Sequence, residues 1–128
     1  MSILFELIPS AVPLKPRARV YDLKSRLDWG KPALTIIDAR DREKFNASHI
    51  LGAITMPVSQ LVERALSSLE LTRDIYVYGV TDEETSVAAA KLREAGYKNV
   101  SEIIGGLGAW RAVGYPIESN TAAIGYGH

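Results

Sequence analysis

The chain has 128 residues, 47% of them hydrophobic and 23% charged, which is the balance of one globular domain with an ordinary buried core. Its 15 Lys and Arg are matched by 15 Asp and Glu, so no net field draws it to nucleic acid or to an anionic membrane surface. It contains no cysteine, which excludes disulfides, thiolate metal sites and thiol nucleophiles together.

Taken in chain order, the opening Met1-Ser2-Ile3-Leu4-Phe5-Glu6-Leu7-Ile8-Pro9 is apolar but lacks a basic start and is interrupted by Glu6 and Pro9. It does not read as a signal peptide. No stretch approaches the roughly 20 apolar residues of a membrane span, so no membrane partner and a cytoplasmic location are expected. Pro9, Pro13 and Pro16 mark residues 1–17 as an extended arm, packed through Ile3, Phe5 and Leu7 or held for a partner. The domain is expected over residues 18–118.

Asp22 reads as an N-cap, with Leu23 and Leu27 at helical spacing until Gly30. After Lys31-Pro32, the run Leu34-Thr35-Ile36-Ile37 predicts a short buried strand ending at Asp38. A second strand is expected at Ala53-Ile54-Thr55 and a third at Ile75-Tyr76-Val77-Tyr78, with Leu61, Ala65 and Leu69 marking a helix between them. Thr81 to Ala95 predicts a strong helix with Val87, Ala88, Leu92 and Ala95 on one face and Gly96 ending it, and Val100 to Ile104 predicts a further strand. This alternation implies an α/β fold: a central, mainly parallel sheet with helices on both faces. Residues 119–128 read as a loosely held tail.

Three separated stretches carry a resemblance. Ile37-Asp38-Ala39-Arg40 continues through Glu43, Phe45 and His49-Ile50-Leu51-Gly52-Ala53 to Met56-Pro57. Gly96-Tyr97-Lys98-Asn99-Val100 is the second. Gly105-Gly106-Leu107-Gly108-Ala109-Trp110, followed by Gly114-Tyr115-Pro116, is the third. In order and spacing they resemble the rhodanese-like family over roughly residues 18–118, with Ser48 standing where the family usually has glycine. The resemblance implies a three-layer domain in which a strand ends in a cysteine whose loop leads into a helix. In active members the thiolate takes up a sulfane sulfur, becomes a persulfide and passes the sulfur on. Loop amides and the helix N-terminus lower the thiol pKa and hold the anionic donor.

Aligned on Tyr78 and on Ala88-Ala89, the resemblance puts Gly79 at the cysteine position and Glu84 where the family often has arginine. The vestigial loop is then Gly79-Val80-Thr81-Asp82-Glu83-Glu84. A phosphatase reading fails on the missing cysteine, the missing arginine and a loop one residue short. Thr81 and Glu84 stand in the relation of a capping box, Thr81 capping the N3 amide and Glu84 reaching back to the Thr81 amide. Asp82 and Glu83 complement the helix dipole. The expected site therefore contains no catalytic residue.

Other readings compete at each position. Asp82-Glu83-Glu84 carry oxygen ligands for a hard cation, but helix capping accounts for them and no metal site is expected. His49 with Asp38 and a hydroxyl from Thr81, Thr85 or Ser86 has the composition of a hydrolase triad, while a structural hydrogen-bonding role is the simpler account of His49. Asp38 and Arg40 follow a strand end, where α/β folds place ligand groups, or they pair within the fold, Arg40 with Glu43 for example. Gly105-Gly106-Leu107-Gly108 does not complete G-x-G-x-x-G, since Arg111 stands at the third glycine position, and so reads as a tight turn into a helix. Trp110 reads as core. No cofactor is implied. The expected function is a non-catalytic interaction or regulatory module with a protein partner whose identity the sequence leaves open. The alternative is a sulfurtransferase-related protein that handles sulfur with a cysteine-bearing partner.

Overall fold

The computed structural model describes residues 14–30 and 33–120. The apolar arm through Leu7, the Lys31-Pro32 turn and residues 121–128 lie outside the described residues. Five runs pair as parallel strands in the order β1 (Arg17–Ala18), β6 (Asn99–Ile103), β5 (Asp74–Tyr78), β2 (Leu34–Asp38) and β4 (Ile54–Thr55). In register, Ile37 lies opposite Val77, and Asp38 opposite both Tyr78 and Thr55. Parallel strands need crossovers, and helices supply them. These are α1 (Val20–Asp28), α2 (Arg42–Ala47), α3 (Leu61–Ser68), α4 (Asp82–Glu94) and α5 (Gly106–Ala112). A small antiparallel pair, β3 (His49–Ile50) with β7 (Ile117–Glu118), stands apart from the sheet.

Alternation along the central strands divides the core into two halves. Ile37, Ile75 and Val77 meet Leu61, Ala65, Ala88, Ala89 and Leu92 from α3 and α4. Ile36, Tyr76 and Tyr78 meet Leu23, Phe45, Ile50 and the fully buried Trp110 on the other face. The sheet is therefore covered on both sides, as the α/β reading expects. Trp110 also donates its indole N–H to the Pro116 carbonyl (2.7 Å), which secures the chain leading into β7.

Three local expectations are corrected. α1 begins at Val20 rather than after Asp22. Asp22 lies within its first turn, where Oδ2 accepts from the Arg19 backbone N–H at 3.0 Å, so it caps from inside the helix. Val87 is 52% exposed, and the buried face of α4 is made by Thr85, Ala88, Ala89 and Leu92 instead. The short β3 and β7 were not expected as strands, because two residues carry no periodic signal.

Candidate functional site

The C-terminal ends of β2 and β5 lie side by side, and the first group they create is a buried carboxylate. Asp38 is fully buried and accepts from the Arg40 backbone N–H (2.9 Å), from Arg40 Nε (3.0 and 3.1 Å) and from Arg40 Nη2 (2.7 Å). The Tyr78 hydroxyl donates to Asp38 Oδ2 at 2.7 Å and accepts from the Ile50 N–H at 3.1 Å. Arg40 thus pairs with Asp38 and not with Glu43; its Nη2 also donates to the Ser48 carbonyl at 2.6 Å. That position tolerates serine because Ser48, with φ of −171°, is ordinary extended backbone. Burial lowers the Arg40 pKa, but its hydrogen bonds to Asp38 and the charge of that carboxylate prevail and hold it above its ordinary value. Burial, followed by the Asp38 charge, pushes the Tyr78 phenol well above the usual tyrosine range. A charge so paired and bonded is a structural clamp joining β2, β5 and β3.

His49 is held the same way. Nδ1 lies 2.7 Å from the Phe45 carbonyl, Nε2 lies 3.2 Å from Glu118 Oε1, and the ring stacks on Phe45 at 3.7 Å. The hydroxyls weighed as its triad partners are bound elsewhere. Thr85 Oγ1 donates to the Thr81 carbonyl (2.9 Å), and Ser86 Oγ donates to Glu102 Oε1 (2.7 Å). Glu102 is itself ion-paired with Arg93 at 3.0 Å. Among the described residues no nucleophile is brought to His49.

Part of the loop between β5 and α4 is bonded from within. The Gly79 N–H donates to Thr85 Oγ1 at 2.7 Å, a bond the sequence did not suggest, since Thr85 figures there only as a triad hydroxyl. Thr81 Oγ1 accepts from the Glu84 N–H at 3.1 Å, so Thr81 caps α4 as expected. The reciprocal half of the capping box is absent: the Glu83 and Glu84 carboxylates have neither a hydrogen bond nor an ion pair among the described residues. Asp82 turns away, and its Oδ1 accepts from the Gly105 N–H at 2.9 Å. This ties the loop to the turn before α5, where Gly105 has φ of +78° and a Cβ on Gly106 would lie 3.3 Å from the Gly79 carbonyl. Glycine at 105 follows from its left-handed backbone and glycine at 106 from that approach.

Beside Gly79 opens a cleft of about 220 Å³, lined by Ala39, Val58, Val87, Glu83 and Glu84. Val58 and Val87 are exposed, as is Val80 on the loop. Across the loop a second hollow of about 330 Å³ is bounded by Arg17, Asp82, Ser86 and Glu102. Among the described residues no group of three His, Asp or Glu side chains converges to hold a metal ion. None of the helices among them is long and apolar enough to cross a membrane.

The family model for the rhodanese-like domain matches residues 19–113. The chain belongs to the rhodanese-like family. Among solved structures, the Alr3790 protein from Anabaena sp. is similar at 57% identity and a TM-score of 0.78, over 80% of this chain and 91% of that one. Among curated proteins, this rhodanese-like domain is 34% identical over 73% of its length to the HTH-type transcriptional regulator Rv0324 of Mycobacterium tuberculosis. It is 33% identical over 75% of its length to the adenylyltransferase and sulfurtransferase UBA4 of Lodderomyces elongisporus. It spans only 41% and 23% of those two proteins.

Proposed function

We propose that this rhodanese-like domain carries out no sulfur transfer of its own and serves as an interaction or regulatory module, with the 79–84 loop as the relic of the catalytic loop. The observation that carries this reading is Gly79 at the end of β5. It offers no nucleophile, and its amide is committed to Thr85 Oγ1. No other residue substitutes, because the chain contains no cysteine to carry a persulfide. Unpaired carboxylates at the same spot disfavour an anionic sulfur donor. The module reading draws support from Rv0324, where the matching segment is part of a larger protein named as a transcriptional regulator.

The test is a thiosulfate-to-cyanide transfer assay on the purified chain, alongside affinity capture from the native host with the 79–84 loop intact or replaced. We expect no turnover above background and partners that are lost with the loop. A turnover that persists after contaminating proteins are removed overturns the reading. A second role, handling sulfur beside a cysteine-bearing partner, is favoured by the similarity to a protein named as a sulfurtransferase and by the open cleft at Gly79. It predicts that adding this domain accelerates persulfide turnover on such a partner.

A further inference from the structure

We infer that the cleft beside Gly79 is a docking site for a single arginine or lysine side chain on an exposed segment of a partner protein. This deepens the module reading and rests on it. The cleft, at about 220 Å³, is below the range typical of sites for drug-sized ligands, so one long side chain suits it better than a cofactor. Its wall is aliphatic, formed by Ala39, Val58 and Val87, with both valines exposed. Its lining also includes Glu83 and Glu84, whose carboxylates have no partner among the described residues, although Asp82 and Glu102 nearby are bonded. An apolar wall under two unpaired negative charges complements a side chain with an aliphatic stem and a cationic head. An acidic segment is repelled, and a purely apolar one leaves the carboxylates without a partner.

Binding requires no rearrangement of the clamp at Asp38. The stem lies along Val58 and Val87, and the head donates hydrogen bonds to the carboxylates in the first turn of α4. These carboxylates are partly neutralised by the helix dipole, so the pairing is sensitive to salt.

The probe is a short blocked peptide of alanines with one central arginine, titrated into isotopically labelled full-length chain and followed by amide chemical shifts. Controls replace the arginine with citrulline or with glutamate. We expect shifts confined to Ala39, Val58 and residues 79–87, abolished by either control and weakened about tenfold in the E83Q/E84Q double variant, from two exposed pairs at up to about 1 kcal/mol each. Val87→Ser weakens binding while leaving both charges in place, which separates a built cleft from loose attraction. Shifts centred on the hollow bounded by Arg17 and Glu102, equal binding of citrulline, or unchanged affinity in E83Q/E84Q each overturn the inference. Failure of the peptide to bind also overturns it. The sulfur-transfer assay on the same preparation reports separately on the non-catalytic reading.

Discussion

Tyr78→Phe isolates the clamp that holds β2, β5 and β3 together. The substitution keeps the buried ring and removes one oxygen, and with it two bonds: the donation to Asp38 Oδ2 at 2.7 Å and the acceptance from the Ile50 N–H at 3.1 Å. A hydrogen bond to a charged group is worth about 1.5–3 kcal/mol, and a buried amide left unpaired costs about 1–3 kcal/mol. Because Asp38 keeps its bonds to Arg40, we take the lower part of the combined range and expect a loss of about 2.5–4 kcal/mol at neutral pH. The assay is urea unfolding followed by far-ultraviolet circular dichroism. The pH dependence gives a second, independent reading. In the native state the Tyr78 phenol keeps its proton well above the ordinary tyrosine value, whereas the unfolded chain releases it near pH 10. The unfolded state then binds one proton fewer, so wild-type stability falls by about 1.4 kcal/mol per pH unit from this residue above roughly pH 10. Its contribution is complete below that pH and is lost as pH rises toward the folded-state pKa. The phenylalanine variant lacks this term, so the gap between the two proteins must narrow as pH rises from about 9 to about 11. A neutral-pH loss under about 1 kcal/mol, or a gap that stays constant across that interval, refutes the reasoning.

The remaining predictions concern the loop. Thr81→Ala should destabilise the domain by about 0.5–2 kcal/mol in denaturant melts, since it removes the cap on the Glu84 amide. Glu84→Ala should lie within about 0.5 kcal/mol of the parent, because its carboxylate makes no return bond; a loss as large as that of Thr81→Ala contradicts the observed capping. Gly79→Cys alone should yield little sulfur transfer, since the new Cβ lies 3.2 Å from both Glu84 Cβ and the Thr85 nitrogen and the thiolate faces an acidic loop. Combining it with Glu84→Arg, Glu83→Gln and Asp82→Asn should lower the thiol pKa and speed reaction with thiosulfate, the carboxamide oxygen at position 82 still being able to accept from the Gly105 N–H. Thiol titration in both variants decides the point, and a lower pKa in the single variant counts against the acidic loop as the element that closes the site.

The central strands were legible because Leu34–Asp38 and Asp74–Tyr78 are continuous runs rich in β-formers, as fully buried parallel strands require. α4 was legible from its cap and length, yet its face was misassigned at Val87, since alanine and threonine signal burial less clearly than valine. The start of α1 was misplaced because an aspartate at the third helical position and one at the N-cap look alike without coordinates. The absence of a cysteine was visible in composition alone. The bonds of Thr85 to Gly79 and of Asp82 to Gly105 were not, because each depends on which way a side chain turns once the loop has closed. Tyr78 read only as a strand residue, and its hydroxyl gained meaning when β2 placed Asp38 opposite it.

Both outer strands of the sheet, β1 at Arg17–Ala18 and β4 at Ile54–Thr55, are two residues long. An extended peptide that lengthens a sheet needs a row of free main-chain donors and acceptors, and edges this short provide almost none. Strand addition onto β1 or β4 themselves therefore has little main chain to work with among the described residues. Recognition at those two short strands falls to side chains, and selectivity there is open to change by single substitutions on the surface without disturbing the backbone beneath.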